Sequence, residues 1–336
     1  MELKDFKNKI DKEILIFLDS KIFSLSKYQT NDLDYRVFDQ LLKLLRDGKR
    51  IRSYVAFLSY KAYGGKDDKN AIKLFSFLEI FHAFCLVHDD IMDDADQRHG
   101  VKTINKLYGN SQAILIGDFL FSWAWEILLT NKEFDKKSIE RAKGIFLEMI
   151  DEVIIGQMTD LNITAKQKVS NEEIINKMLL KTAGYSFIKP MIIGAYLARN
   201  IKDEEKPIDK FGKYLGLAFQ IQDDLLDIMF DSNQTKKSDF NDVAQHQHTL
   251  FTNYVFEKGN KEQRGILKTM FGKKLNQIDK DMLRKVFINS GAIGYGKKEI
   301  INNLNNAKKA LEKIKIDEKY KNLFLKLTDD LVNRSN

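Results

Sequence analysis

Proline is almost missing from this chain: Pro190 and Pro207 are the only two in 336 residues. Proline lacks the N–H donor that a helix interior needs, so a chain this long with so few breakers is expected to be mostly helical. Cysteine is rarer still. Cys85 stands alone, which excludes an intrachain disulfide and a cysteine-based zinc site, and fits a reducing compartment. No stretch approaches about 18 uncharged apolar residues. The longest candidate, Ala113 to Leu129, is interrupted by Asp118 and Glu126, so no membrane insertion is expected. The start, Met1-Glu2-Leu3-Lys4-Asp5, is charged and has no signal-peptide core. The expectation is a soluble, cytoplasmic protein. Persistent period-two alternation is lacking, as are internal repeats, low-complexity segments and any Gly/Ser/Pro-rich linker.

What is present is helical patterning from end to end. Phe75, Leu78, Phe81, His82, Cys85, Leu86 and Ile91 recur at spacings of three and four, and so do Phe211, Leu215, Ala218, Phe219, Ile221, Leu225 and Ile228. Breaks fall at Gly64-Gly65-Lys66-Asp67-Asp68, Asn200 to Glu205, Asp231 to Lys237 and Lys258-Gly259-Asn260, which read as helix–helix connections. A prior of about 150 residues per domain allows two domains, yet nothing in the composition separates two halves. One all-α domain over 1–336 is the simplest reading. The formal net charge is +7. No Lys/Arg run is interleaved with aromatics as a nucleic-acid groove needs, so no nucleic-acid partner is expected. A lysine-rich solvated surface and a site for a polyanionic small substrate both account for the charge.

Two acidic clusters carry the chemistry. In Leu86-Val87-His88-Asp89-Asp90-Ile91-Met92-Asp93-Asp94, Asp89 and Asp93 share one helix face. In Phe219-Gln220-Ile221-Gln222-Asp223-Asp224-Leu225-Leu226-Asp227, Asp223 and Asp227 do the same, with Gln220 one turn earlier. Two carboxylates about 4 Å apart repel by about 4 kcal/mol at an effective dielectric near 20. A cation removes that penalty, and hard oxygen ligands without thiolates point to Mg²⁺. Cations at such a site must meet an anion. Gly48-Lys49-Arg50-Ile51-Arg52, Arg98 and Lys181-Thr182 supply basic points suited to two diphosphates.

With these pieces in order the chain resembles the trans-isoprenyl diphosphate synthase family: farnesyl, geranylgeranyl and longer polyprenyl diphosphate synthases. The resemblance runs from about Gly48 to Thr249, more weakly from Leu323 to Arg334. Besides the clusters above it rests on His82, Arg98-His99-Gly100, Thr103, Tyr108-Gly109, Ala113-Ile114-Leu115-Ile116-Gly117-Asp118, Gly156-Gln157 with Asp160, and Lys181-Thr182. It implies a single-domain helical bundle of the isoprenoid synthase type with a central active-site cavity, and a homodimer. By the resemblance, Asp89 and Asp93 hold two Mg²⁺ ions against the allylic diphosphate, and Asp223 a third, with Asp90, Asp224 and Asp227 supporting. Arg98, Lys181 and Lys237 or its neighbour Lys236 grip the allylic diphosphate. Lys49, Arg52, His82 and His99 bind isopentenyl diphosphate. Thr182 and Gln220 turn their dipoles to the developing carbocation. The diphosphate leaves, the isopentenyl double bond attacks, and the released diphosphate removes the proton.

Several positions depart from the family pattern. His99 stands for the second residue of Arg-Arg-Gly and is mostly neutral at pH 7. Ser53 replaces a proline and Asp47 a glycine. The segment Asp-x-x-x-Gly-Lys-x-Thr reads Asp242-Val243-Ala244-Gln245-His246-Gln247-His248-Thr249, so its lysine is lost, while the upstream Gly-Lys reads Lys236-Lys237. His246 and His248 are expected as a polar loop near a diphosphate, since all five histidines fall inside the motif regions. Phe84 lies five residues before Asp89, about 7.5 Å along a helix axis, where a ring forms a floor for the growing chain. With Cys85 beside it in place of a second aromatic, products of C15 to C20 are expected, C20 preferred. Two other readings stay open: a class I terpene cyclase, and a regulatory, non-catalytic partner subunit of a prenyl synthase. The second Asp-Asp-x-x-Asp motif and Lys49, Arg52 and His82 weigh against the cyclase.

Overall fold

The structure is a computed structural model that describes residues 1–28, 35–46, 48–98, 100–229 and 240–332. The chain groups into two compact units, Met1–Lys143 with Ile193–Asn200, and Gly144–Ile192 with Ile201–Asn336.

The first unit contains α1 (Leu3–Leu25), α2 (Arg36–Leu45), α3 (Ile51–Ala62), α4 (Asp68–Met92), a two-stranded hairpin β1 (Gln97–Arg98) and β2 (Val101–Lys102), α5 (Ile104–Tyr108) and α6 (Asn110–Leu129). Its axis is α4, which runs 25 residues without glycine or proline. The Asp67 side chain caps its start by accepting from the Asn70 N–H at 3.1 Å. Phe75, Phe77, Leu78, Ile80 and Phe81 are buried along it. The predicted break at Gly64 to Asp68 is the α3–α4 connection.

α7 (Lys136–Thr164) leads into the second unit, which continues with α8 (Asn171–Met178), a π-helical segment (Leu179–Ile188), the start of α9 (Lys189–Ala198, whose residues from Ile193 on belong to the first unit), α10 (Glu205–Met229), α11 (Asn241–Ala244), α12 (Leu250–Lys258), α13 (Lys261–Met270), α14 (Gln277–Asn289), α15 (Ala292–Glu312) and α16 (Glu318–Val332). α10 buries Phe211, Leu215, Ala218, Ile221, Leu225 and Ile228 of the stripe expected from the sequence, while Phe219 is half-buried. The breaks at Asn200 to Glu205 and Lys258 to Asn260 are connections, as expected, while Asp231 to Lys237 lies outside the described residues. Pro207 sits in the first turn of α10, where its missing donor costs nothing. Pro190 is less orthodox, because helix precedes it. There the Lys189 N–H reaches the Gly184 carbonyl, five residues back. Proline cannot donate to the carbonyl four residues earlier and crowds it; the widened turns ahead of Pro190 absorb both defects.

Candidate active site

In the first unit the acidic motif sits where α4 stops. Asp93 caps the helix, its N–H donating to the Asp89 carbonyl at 2.8 Å, so both carboxylates stay on one side of the last turn. The chain then reverses through Asp94, in the left-handed region at φ 49°, a conformation Asp tolerates. The hairpin returns Arg98, whose Nε and terminal nitrogen donate to Asp90 Oδ1 at 2.9 and 2.7 Å. Burial works against the Arg98 charge. The bond from Asp90 and the nearby Asp89 and Asp93 outweigh it, so the guanidinium is held more firmly charged than usual. Asn105 Nδ2 donates to the Asp90 carbonyl at 3.1 Å and Thr103 Oγ1 to the Ala95 carbonyl at 2.7 Å. These bonds tie the reversal to its helix.

The basic motif enters α3 through Arg50, which is buried and left-handed, at φ 56°. Its Nε bonds Asp11 Oδ1 of α1 at 2.6 Å, and a terminal nitrogen lies 3.7 Å from Glu79 Oε2 of α4. Gly48 is demanded by this arrangement, because a Cβ there would overlap the Arg50 guanidinium. Ser53, where the family pattern has proline, is fully buried. Its N–H donates to Glu79 Oε1 at 3.1 Å and its hydroxyl to the Phe75 carbonyl at 2.8 Å. Glu79 thus fastens the start of α3, with exposed Lys49 and half-buried Arg52, to α4 one turn before His82. Arg50 is the anchor of this group, a role that the motif's spacing alone does not reveal. Further down, the half-buried Phe84 ring packs on Phe81 (5.5 Å), Phe121 of α6 (5.2 Å) and His88 (4.7 Å) between centroids; Cys85 beside it is also half-buried.

In the second unit a polar chain runs from the π-helical segment to α10. Thr182 Oγ1 donates to Gln220 Oε1 at 2.8 Å, and Gln220 Nε2 donates to Asp224 Oδ1 at 2.8 Å. Asp227 receives the Asn241 N–H and side-chain amide at 3.0 and 3.2 Å on one oxygen and the Asp242 N–H at 3.1 Å on the other. This brings Asp242 to Asp223, Asp224 and Asp227, although about fifteen residues intervene in sequence. Burial, aided by the neighbouring aspartates, pushes Asp224 up to about 7 and Asp227 up to about 6, and Asp242 well above the ordinary range. Asp223 is exposed. On the other side, Asp160 of α7 takes Lys181 Nζ at 2.6 Å and Lys177 Nζ at 3.1 Å. Burial raises Asp160, but the two ammoniums outweigh it and hold it below the carboxylate range. Gly156 permits this meeting: a Cβ there would lie 2.6 Å from the Lys181 backbone nitrogen.

His246 and His248 fasten the loop to the end of α7: His246 Nδ1 lies 2.6 Å from the Thr164 carbonyl and His248 Nε2 3.0 Å from that of Lys166. Both rings pack on Phe271, with centroids at 4.3 and 5.1 Å, and burial holds His248 below its ordinary pKa. His246 nevertheless keeps the backbone expected of the glycine it replaces, at φ 60°. His99, Lys236 and Lys237 lie outside the described residues.

Among the described residues no three His, Cys, Asp or Glu side chains close into a protein-only metal cage. The all-oxygen donor sets still suit Mg²⁺, which keeps waters and substrate phosphates as further ligands. The crowding of Asp224, Asp227 and Asp242, each raised by burial and by its neighbours, supports the same fit, because a cation would stabilise their ionised forms.

Comparison with known proteins agrees with this chemistry. The Polyprenyl synthetase family model matches residues 35–287. The chain is 32% identical to geranylgeranyl pyrophosphate synthase of Geoglobus acetivorans over 97% of this chain and 99% of that one. It is 30% identical to geranylfarnesyl diphosphate synthase of Aeropyrum pernix, over 85% of this chain and 90% of that one. Its fold matches the crystal structure of geranylgeranyl pyrophosphate synthase from Corynebacterium glutamicum complexed with isoprenyl diphosphate and magnesium. That match has a TM-score of 0.91 at 22% identity, over 99% of this chain and 100% of that one. The chain belongs to the polyprenyl synthetase family and has the all-α isoprenoid synthase fold.

Proposed function

We propose that this chain condenses isopentenyl diphosphate with an allylic prenyl diphosphate to make a short-chain trans-prenyl diphosphate of C15 to C20. The observation that carries the reading is an aspartate cluster on an apolar helix in each unit, with Arg98 paired to Asp90 in the first and Lys181 held by Asp160 of α7 in the second. Asp89, Asp93 and Asp223 would hold Mg²⁺, three ions in this reading, with Asp90, Asp224 and Asp227 behind them, and the metal supplies positive charge to the leaving diphosphate. Arg98, Lys181, Lys236 and Lys237 bind the allylic diphosphate; Lys49, Arg52, His82 and His99 bind isopentenyl diphosphate. Thr182 and Gln220 present oxygen dipoles to the allylic carbon as charge develops. The isopentenyl double bond forms the new C–C bond, and the released diphosphate accepts the proton. Phe84, with Cys85 beside it, forms the floor that limits the tail.

In this reading 1–336 acts as a single polyprenyl synthase domain in a cytoplasmic homodimer. α4 and α6 are long and apolar enough to cross a membrane by composition alone, but 67% of the α4 window is buried inside the protein. α6 exposes Ile114, Leu115 and Leu129, an apolar surface suited to a second copy. The reading is tested by incubation with isopentenyl diphosphate, Mg²⁺ and C5, C10 or C15 primers, with products sized by chromatography. Products of C15 to C20 are expected, and Phe84→Ala should lengthen them. Absence of product from folded protein with every primer refutes the reading. An unchanged product from folded Phe84→Ala moves the floor elsewhere.

A further inference from the structure

Lys177 is a buried ammonium that no sequence motif singles out. It lies on α8 one turn before Lys181, with its side chain 11% exposed. Lysine is almost never buried without partners. Here Nζ is 3.1 Å from Asp160 Oδ1, 3.2 Å from the His248 carbonyl and 3.5 Å from Gln247 Oε1. Two of these contacts fall on the one segment that carries Gln247 where the family pattern has lysine. The third is the carboxylate whose other oxygen holds Lys181 at 2.6 Å.

We infer that Lys177 is a positioning residue for the allylic-diphosphate side of the site: from α8 it returns to the 242–249 segment the positive charge that position 247 lacks, and through Asp160 it fixes Lys181. This rests on the prenyl-transfer reading above. The electrostatics agree with the geometry, because Asp224 and Asp242 both feel the Lys177 charge, which opposes their burial. Without that ammonium Asp160 would hold Lys181 alone, and Asp224 and Asp242 would repel the incoming diphosphate more strongly. A lysine at 247, in the loop between α11 and α12, and a lysine at 177, on α8, would place a charge in the same neighbourhood, so one should substitute for the other.

The test is a two-residue exchange read by kinetics and by equilibrium binding. A charge-assisted contact is worth about tenfold or more. Lys177→Met should therefore lower kcat about tenfold while changing the KM for isopentenyl diphosphate less than about twofold. It should also weaken calorimetric binding of inorganic diphosphate in the presence of Mg²⁺ about tenfold. Adding Gln247→Lys to that variant should recover most of both losses, which a merely structural lysine would not allow. Wild-type kcat and diphosphate affinity in folded Lys177→Met overturn the inference, as does a double variant no better than the single one. Should Lys177→Met not fold, Gln247→Lys in the native background carries the test. With the charge already supplied, it should not raise diphosphate affinity by more than about twofold, and a tenfold rise overturns the inference. A wild-type protein without turnover refutes prenyl transfer itself; the calorimetric arms then still decide whether Lys177 serves the diphosphate site.

Discussion

The two aspartate motifs look alike in sequence and differ in electrostatic state. Asp89 and Asp93 sit at a helix end, half-exposed, and the buried carboxylate between them, Asp90, is paired with Arg98 at 2.7 Å. In the second unit the buried Asp224 and the half-buried Asp227 and Asp242 share one neighbourhood, and desolvation raises all three above the ordinary range. Lys177 is near, but Asp160 also claims it. The first motif is balanced internally and offers two outer carboxylates. Once ionised, the second keeps a surplus of negative charge that an added cation would relieve. The same five-residue pattern therefore makes one cluster partly neutralised by its own arginine and one whose crowded carboxylates a cation would stabilise.

The comparison breaks most visibly at the outer ligands. Asp89→Ala and Asp223→Ala should each lower kcat by about 10² to 10³, since single groups that stabilise developing charge contribute that much. Circular dichroism and the thermal midpoint should stay near wild type. Near-normal turnover in either would remove that residue from the metal site. Asp90→Ala strikes the balanced pair instead: it strands a largely buried guanidinium, and a loss of about 3 kcal/mol in denaturant unfolding is expected. Asp224→Ala removes a repelling carboxylate and should cost less stability than Asp90→Ala. The reverse order would deny the difference between the clusters.

Gly156→Ala tests how tightly the second unit holds its lysine. The added methyl meets the Lys181 backbone, so overpacking of about 1–3 kcal/mol is expected, with kcat falling alongside stability. A Gly156→Ala protein with wild-type kcat would separate Lys181 from the reaction. The smallest effect is on pH. Asp224 and Asp227 titrate higher in the folded protein, about 7 and about 6, than an ordinary aspartate. The stability they contribute is complete below about pH 4, the unfolded value, and is lost as the pH rises towards 7. Without divalent cations the calorimetric midpoint should fall over that interval, and Mg²⁺ should raise it more at pH 8 than at pH 5. Asp224→Asn should flatten the metal-free slope. An equal Mg²⁺ effect at both pH values would contradict the surplus charge.

Legibility in the sequence followed distance along the chain. The stripes of α4 and α10, the connections at Gly64 and Gly259, and the paired aspartates were readable because each depends on residues three or four apart. Arg50 shows the limit. It lies in a basic motif that reads as an anion site, yet its guanidinium turns inward to Asp11 and Glu79. Ser53 looks like a lost proline and is instead a buried donor with both bonds made. The π-helical turns around Lys181 leave no periodic signal, since they accommodate Pro190, several residues further on.

By itself the amino-acid sequence determined the helical class, the two carboxylate faces and the all-oxygen donors, because side-chain spacing on a helix is local geometry. Tertiary structure alone decided which charges are answered. Asp90 meets Arg98 within eight residues, but Asp242 reaches Asp227 and Lys177 reaches Asp160 and Gln247 only when separate helices pack. Burial then sets the cost of each charge, and burial is a property of the packed chain that no single helix possesses.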